Sequence, residues 1–146
     1  MPITIAGSGT ITGISAGGLP DGVITTDDIA ANAVTYAKIG TTEQGQLCKA
    51  WVNFNGTSTV AIRASYNVSS ITDNGTGDYT VNFTTAFADA NYTMTSSSAE
   101  TGPTMSIASP KLTASPFTAS SALAQTRNTT NGNLLDCQFV CLSFFR

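Results

Sequence analysis

Beyond residue 46, apolar and polar residues alternate through most of the chain. Cys48, Ala50, Val52 and Phe54 share one phase and Trp51 takes the other. Period-two alternation of this kind puts successive side chains on opposite faces of a strand. Asn55-Gly56-Thr57 then turns the chain. Val60, Ile62, Ala64, Tyr66 and Val68 alternate with Ala61, Arg63, Ser65 and Asn67, which predicts one long half-buried strand. Asp73-Asn74-Gly75-Thr76-Gly77-Asp78 is the strongest turn signal in the sequence. Tyr79, Val81 and Phe83 resume the alternation, and residues 91–98 continue it. Pro103, Pro110 and Pro116 hold the middle of the chain at edges or in loops, so residues 96–121 read as a loop. A strand near 122–127, a turn at Asn131-Gly132-Asn133 and a last strand from residue 134 close the pattern. The expectation is a mainly β fold, with an antiparallel, jelly-roll-like β-sandwich knob over residues 46–146.

The last strand breaks the rule. Leu135, Cys137, Phe139 and Cys141 are apolar in one phase, while Val140, Leu142 and Phe144 are apolar in the other. A strand with two apolar faces is either central and covered twice or covered by another subunit.

Residues 1–45 look different. Ile3-Thr4-Ile5 and Thr10-Ile11-Thr12-Gly13-Ile14 flank a Gly-Ser-Gly turn and predict two short strands. Gly17-Gly18-Leu19-Pro20-Asp21-Gly22 is a dense cluster of chain breakers. Thr25 or Thr26 suits a helix N-cap, with Asp27 and Asp28 in the first turn. Ile29, Ala33, Tyr36 and Ala37 fall on one helical face and Gly40 ends the run, predicting a short helix near 26–39. Residues 24–29 echo residues 34–39, so the apolar positions recur on a unit too small to bury them. Such a leg needs neighbours: other copies of itself or a larger assembly.

Composition narrows the chemistry. Only 10% of residues are charged, against about 25% in an average soluble protein. Hydroxyl and amide groups must therefore cover the surface. With no His, the chain lacks a Ser-His or Cys-His nucleophile pair and an imidazole metal site. Net charge is −3, which offers no attraction to nucleic acid or anionic lipid. No run approaches the ~20 apolar residues of a membrane span. No signal peptide is evident, so synthesis in a cytoplasm is expected.

Cys48, Cys137 and Cys141 are an odd number and read as buried thiols. On one strand Cys137 and Cys141 would lie roughly 13 Å apart, too far to bridge. Three Cys also fall short of the four ligands of a structural zinc site. Asp73 and Asp78 flank a turn but supply too few carboxylates for a tight Ca²⁺ site. A glycan-cleaving pair would have to come from Asp73, Asp78, Asp89, Glu100 and Asp136, and no cofactor is implied. Tyr66, Tyr79 and Tyr92 keep phase with their strands' core positions; Trp51 does not, and it is the candidate for an exposed or intersubunit aromatic. Asn55, Asn67, Asn74, Asn82, Asn91 and Asn128 begin Asn-X-Ser/Thr triplets, which follow from the Asn, Ser and Thr content.

Two runs, Ala50-Trp51-Val52-Asn53-Phe54-Asn55-Gly56-Thr57 and residues 62–83 ending in Gly77-Asp78-Tyr79-Thr80-Val81-Asn82-Phe83, resemble the distal domain of bacteriophage fibre and fibre-like virion proteins. Gly18-Leu19-Pro20-Asp21-Gly22 resembles the segments that lead into such domains. The likeness covers roughly residues 17–95. It implies parallel homotrimers, a virion location, and either capsid decoration or contact with the host surface. The chain departs from long tail fibres in having no shaft. The expected function is therefore a non-enzymatic homotrimeric knob anchored through the leg to the major capsid protein or another virion protein, as a capsid-decorating, cement or head-fibre-like protein. The alternative is a short tail fibre or receptor-binding tip that meets a host glycan or protein. Ile29, Ala33, Tyr36, Val140, Leu142 and Phe144 are the candidate trimer-interface residues.

Overall fold

The computed structural model of the protein describes residues 24–100 and 106–146. The strands expected at 3–5 and 10–14, the breaker cluster at 17–22 and Pro103 lie outside the described residues. The chain divides into two compact units, residues 1–40 and 41–146. The second unit begins at Thr41, ahead of the boundary expected near Gln46.

In the first unit the helix expected near 26–39 does not form. Two 3₁₀ turns, Thr26–Asp28 and Tyr36–Lys38, take its place. Thr25 stands at the N-cap of the first, and its backbone N–H and hydroxyl both donate to Asp28 Oδ2, at 2.9 and 2.8 Å. These bonds hold the Asp28 carboxyl below its usual range. Asn32 then adopts φ 65°, the left-handed region, which ends any right-handed run. The β-branched Thr25, Thr26, Val34 and Thr35 add poor helix propensity, and Ile24, Ile29 and Val34 stay exposed, so their burial does not reward a helix.

Among the described residues the second unit opens with one helical turn, α1 (Thr41–Gly45), followed by eight strands: β1 (Cys48–Asn55), β2 (Ala61–Tyr66), β3 (Val68–Gly75), β4 (Asp78–Phe83), β5 (Thr93–Ala99), β6 (Ser106–Pro110), β7 (Ser121–Asn128) and β8 (Phe139–Phe145). They form two antiparallel four-stranded sheets, ordered β2-β1-β8-β5 and β3-β4-β7-β6. The fold is a β-sandwich, as the alternation predicts. Among the described residues no helix is long and apolar enough to cross a membrane.

The core lies between the sheets. Ala50, Val52, Phe54, Val140, Leu142 and Phe144 supply one side; Tyr79, Val81, Phe83, Ala122 and Ala124 supply much of the other. One end is filled by aromatic rings. Phe83 meets Phe87, Tyr92 and Phe144 edge-on, and Tyr92 stacks on Phe87 at 4.7 Å. The outer face of β3 and β4 is an amide–hydroxyl ladder. Asn82 Nδ2 donates to Ser70 Oγ and Thr72 Oγ1, and Asn74 Nδ2 donates to Thr80 Oγ1. Neutral polar groups thus clothe the sheet where charges would ordinarily stand.

Three expectations need correction. The long strand over 60–68 is two strands in different sheets, broken at Asn67, which takes φ 55°. Residues 96–121 are not a single loop, since β5 runs to Ala99 and β6 occupies Ser106–Pro110. The last strand begins at Phe139, so Leu135 and Cys137 precede it. All three cysteines are free thiols; Cys137 is buried, while Cys48 and Cys141 are half-buried.

Candidate binding face

β8 is central in its sheet, and its two apolar faces have different fates. Val140, Leu142 and Phe144 point at the opposite sheet and are fully buried within this chain. They are core residues, so the expectation that they form a trimer interface is overturned. The outward face carries Phe139, Cys141, Ser143 and Phe145. Phe139 is 43% exposed, and the Arg63 guanidinium lies over its ring at 4.3 Å. Of the other interface candidates, Ile29 is exposed, Ala33 is half-buried and Tyr36 lies in the second 3₁₀ turn.

Tyr66 departs most from expectation. It is 58% exposed, not core. The cause is a register shift in the β1–β2 ladder: Asn53 pairs with Ala64, but Phe54 pairs with Ile62. One extra residue on β2 reverses the phase of everything beyond it. Ile62 still faces the core, whereas Tyr66 emerges on the outer face directly across from Trp51. Trp51 is 38% exposed, so two exposed aromatic residues occupy paired positions across this ladder. The alternation alone could not show the shift.

Beside Tyr66 is an open cleft of about 400 Å³ lined by Tyr66, Asn67, Thr84 and Thr85. Asn67 builds it. Its amide Nδ2 donates to the carbonyls of Lys49 and Thr85, at 3.2 and 3.1 Å. Its Oδ1 accepts from the Thr85 N–H at 2.7 Å, and its carbonyl accepts from the Thr84 N–H at 3.1 Å. The side chain that lets the backbone turn between sheets also locks the segment after β4. Asn tolerates the left-handed conformation better than most residues, and that was the one available signal of a corner at this position.

Four of the candidate acids make structural bonds. Asp73 Oδ1 accepts from the Gly75 N–H within the β3–β4 turn, and Asp78 pairs with Lys111 at 2.5 Å. Asp136 Oδ1 accepts from the Gly77 N–H at 2.6 Å and from the Tyr79 hydroxyl at 3.0 Å. Asp89 pairs with Arg146 at 2.6 Å and also accepts from the Asn91 N–H, which holds its carboxyl below the usual range. Among the described residues no group of three or more His, Cys, Asp or Glu gathers to hold a metal ion.

Two buried tyrosines set the behaviour at alkaline pH. Burial, with Asp136 beside it, pushes the Tyr79 hydroxyl far upward. Burial pushes Tyr92 up from 10.0 to about 12; its hydroxyl donates to the carbonyls of Thr118 and Ser121. A group whose folded pKa is raised holds its stabilisation below the unfolded pKa and loses it as pH climbs toward the folded one. The tyrosine contribution to stability should therefore be constant up to pH 10.0 and fall from there to about 12. Urea midpoints measured across that window check this, and Tyr92→Phe should flatten part of the fall. A constant midpoint would mean the hydroxyls are not held in this way.

Comparison with family models, with curated proteins and with solved structures finds no match to this chain, so the site is read from its own geometry.

Proposed function

We propose that the chain is a non-enzymatic structural protein of a bacteriophage particle, made in the host cytoplasm. In this reading three copies join through the N-terminal leg, which anchors them to the major capsid protein or another virion protein. The sandwich then decorates the particle surface as a cement-like knob. One observation carries the reading: the division between a sandwich that buries its own core and a leading segment whose described apolar residues stand largely exposed. Ile24, Ile29 and Val34 are all exposed, and among the described residues of the segment the helical elements are two 3₁₀ turns. Apolar side chains on a strip this thin call for a partner. The resemblance of residues 50–57 and 62–83 to fibre-type distal domains supplies the virion setting, and the engagement of Asp73, Asp78, Asp89 and Asp136 in structural bonds fits a role without catalysis.

The full chain should sediment as a trimer, while residues 41–146, which hold the buried core of the described residues, should sediment as a folded monomer. A monomeric full chain, or a trimeric sandwich without the leg, would remove the leg from this role. Binding to the assembled shell stabilises that state by mass action. Particles lacking the protein should then lose their genome at lower temperature while adsorbing to cells almost unchanged. A second reading, a short tail fibre or receptor-binding tip, is favoured by the exposed Trp51–Tyr66 pair beside a cleft. It expects the reverse: normal particle stability and lost adsorption.

A further inference from the structure

We infer that the cleft at the β2–β3 corner is a binding site for a neutral saccharide, with Tyr66 as its stacking platform. The inference rests on the contact reading of the knob just given and names the ligand class that reading requires.

The argument begins with what lines the cleft. Its volume, about 400 Å³, lies within the roughly 300–1,000 Å³ of small-ligand sites. The lining is one aromatic ring, one amide residue and two threonines, with no charged side chain. A sugar ring has the matching character: an apolar face of C–H groups and a rim of neutral hydroxyls. An exposed tyrosine offers a rigid apolar face with a polar tip at little entropic cost. The hydroxyls of Thr84 and Thr85 can donate and accept around the rim. A phosphorylated or strongly acidic ligand would find no cation in this lining to offset its charge.

The cleft is also preformed. Asn67 clamps Thr84 and Thr85 through three of the four hydrogen bonds described above, and the fourth ties it to Lys49 of β1. A ligand then meets groups that need no ordering, which removes much of the usual cost of binding. Trp51, directly across the ladder from Tyr66, extends the aromatic surface beyond one sugar unit. A linear oligosaccharide running from the cleft toward Trp51 fits this arrangement better than a monosaccharide.

The test uses the purified full chain and its single tryptophan, Trp51, which lies across the ladder from Tyr66 and reports binding by its own emission. Maltotetraose, chitotetraose and mannotetraose serve as neutral probes and oligogalacturonate as the charged one. At least one neutral probe should shift the emission with a Kd of roughly millimolar order. Tyr66→Ala should weaken that binding about tenfold or more, and Tyr66→Phe, which keeps the ring, should retain most of it. Tyr66 is exposed, so both variants should keep the urea midpoint of the parent. The proposal is overturned if no neutral probe shifts the emission at ~20 mM, if oligogalacturonate binds more tightly than every neutral probe, or if Tyr66→Ala binds like the parent. Adsorption of particles in the presence of the binding sugar tests the contact reading separately. Saccharide binding lost in Tyr66→Ala, with adsorption untouched by free sugar, would uphold the site and remove the host-contact role.

Discussion

Phe144→Ala should cost the sandwich about 3–5 kcal/mol, the range for removing a buried phenyl ring from a packed core. Phe144 is fully buried on β8, between β1 and β5. Its ring meets Phe83 at 5.1 Å and Tyr92 at 5.9 Å, both edge-on. Those neighbours are held in turn by Phe87 and Phe117. A void among interlocked rings collapses poorly, which places the loss in the upper part of the range. A domain of this size has about 5–15 kcal/mol to lose, so the variant should sit near its unfolding threshold at room temperature. Phe139→Ala on the outer face of the same strand is the matched comparison and should change stability far less, within about 1 kcal/mol. Urea midpoints of the two variants separate the faces. Equal losses would mean that β8 does not distinguish inside from outside as described.

Gly77→Ala is expected to be almost as damaging, for a different reason. Gly77 has φ +60°, where a side chain is strained, and an added Cβ would sit 2.5 Å from the Thr126 carbonyl oxygen and 2.7 Å from the Leu135 nitrogen. Both obstacles are backbone, and neither can swing aside. The residue is also held from both ends: its N–H donates to Asp136 and its carbonyl accepts from the Thr126 N–H. Left-handed strain of about 1–2 kcal/mol and overpacking of about 1–3 kcal/mol together predict a loss of about 2–5 kcal/mol. Gly132→Ala isolates the first part, because Gly132 has φ +74° with open space around it. If Gly132→Ala matches Gly77→Ala in thermal denaturation, the close approach contributes nothing.

The sandwich could be read from the chain because its central strands obey the simple rule. Ala50, Val52 and Phe54 face inward, Trp51 faces outward, and Tyr79, Val81 and Phe83 repeat the pattern on β4. Those strands have neighbours on both sides, so the pleat fixes which face is covered. The rule fails at edges and corners. The one-residue shift opposite Asn53 turns Tyr66 outward, and Asn67 diverts the chain into the second sheet. Neither event changes the spacing of apolar letters, so Tyr66 reads as core and the cleft beside it leaves no trace. The same blindness affects β8. Two apolar faces are equally consistent with an intramolecular core and with a subunit contact, and only the partner sheet settles it for Val140, Leu142 and Phe144. Over residues 24–40 the misleading signal is a helical spacing of Ile29, Ala33 and Tyr36, although Ile29 stays exposed and Asn32 turns left-handed between them.

The position of β1 has a mechanical consequence. It lies between β2 and β8, and its first residue, Cys48, pairs with Phe145 near the far end of the chain. Its other end runs into Gly56, which the Tyr79 hydroxyl and the Cys137 carbonyl hold at the same tip as the Asp73–Asp78 turn. A load drawn between the segment before Cys48 and that tip runs along β1, and the ladders on both of its sides resist together in shear. A load drawn between the same segment and Phe145, or the corner at Asn67, pulls across the ladder and opens it one pair at a time. As a tether the sandwich is therefore strong along its long axis and weak when peeled from the leg end.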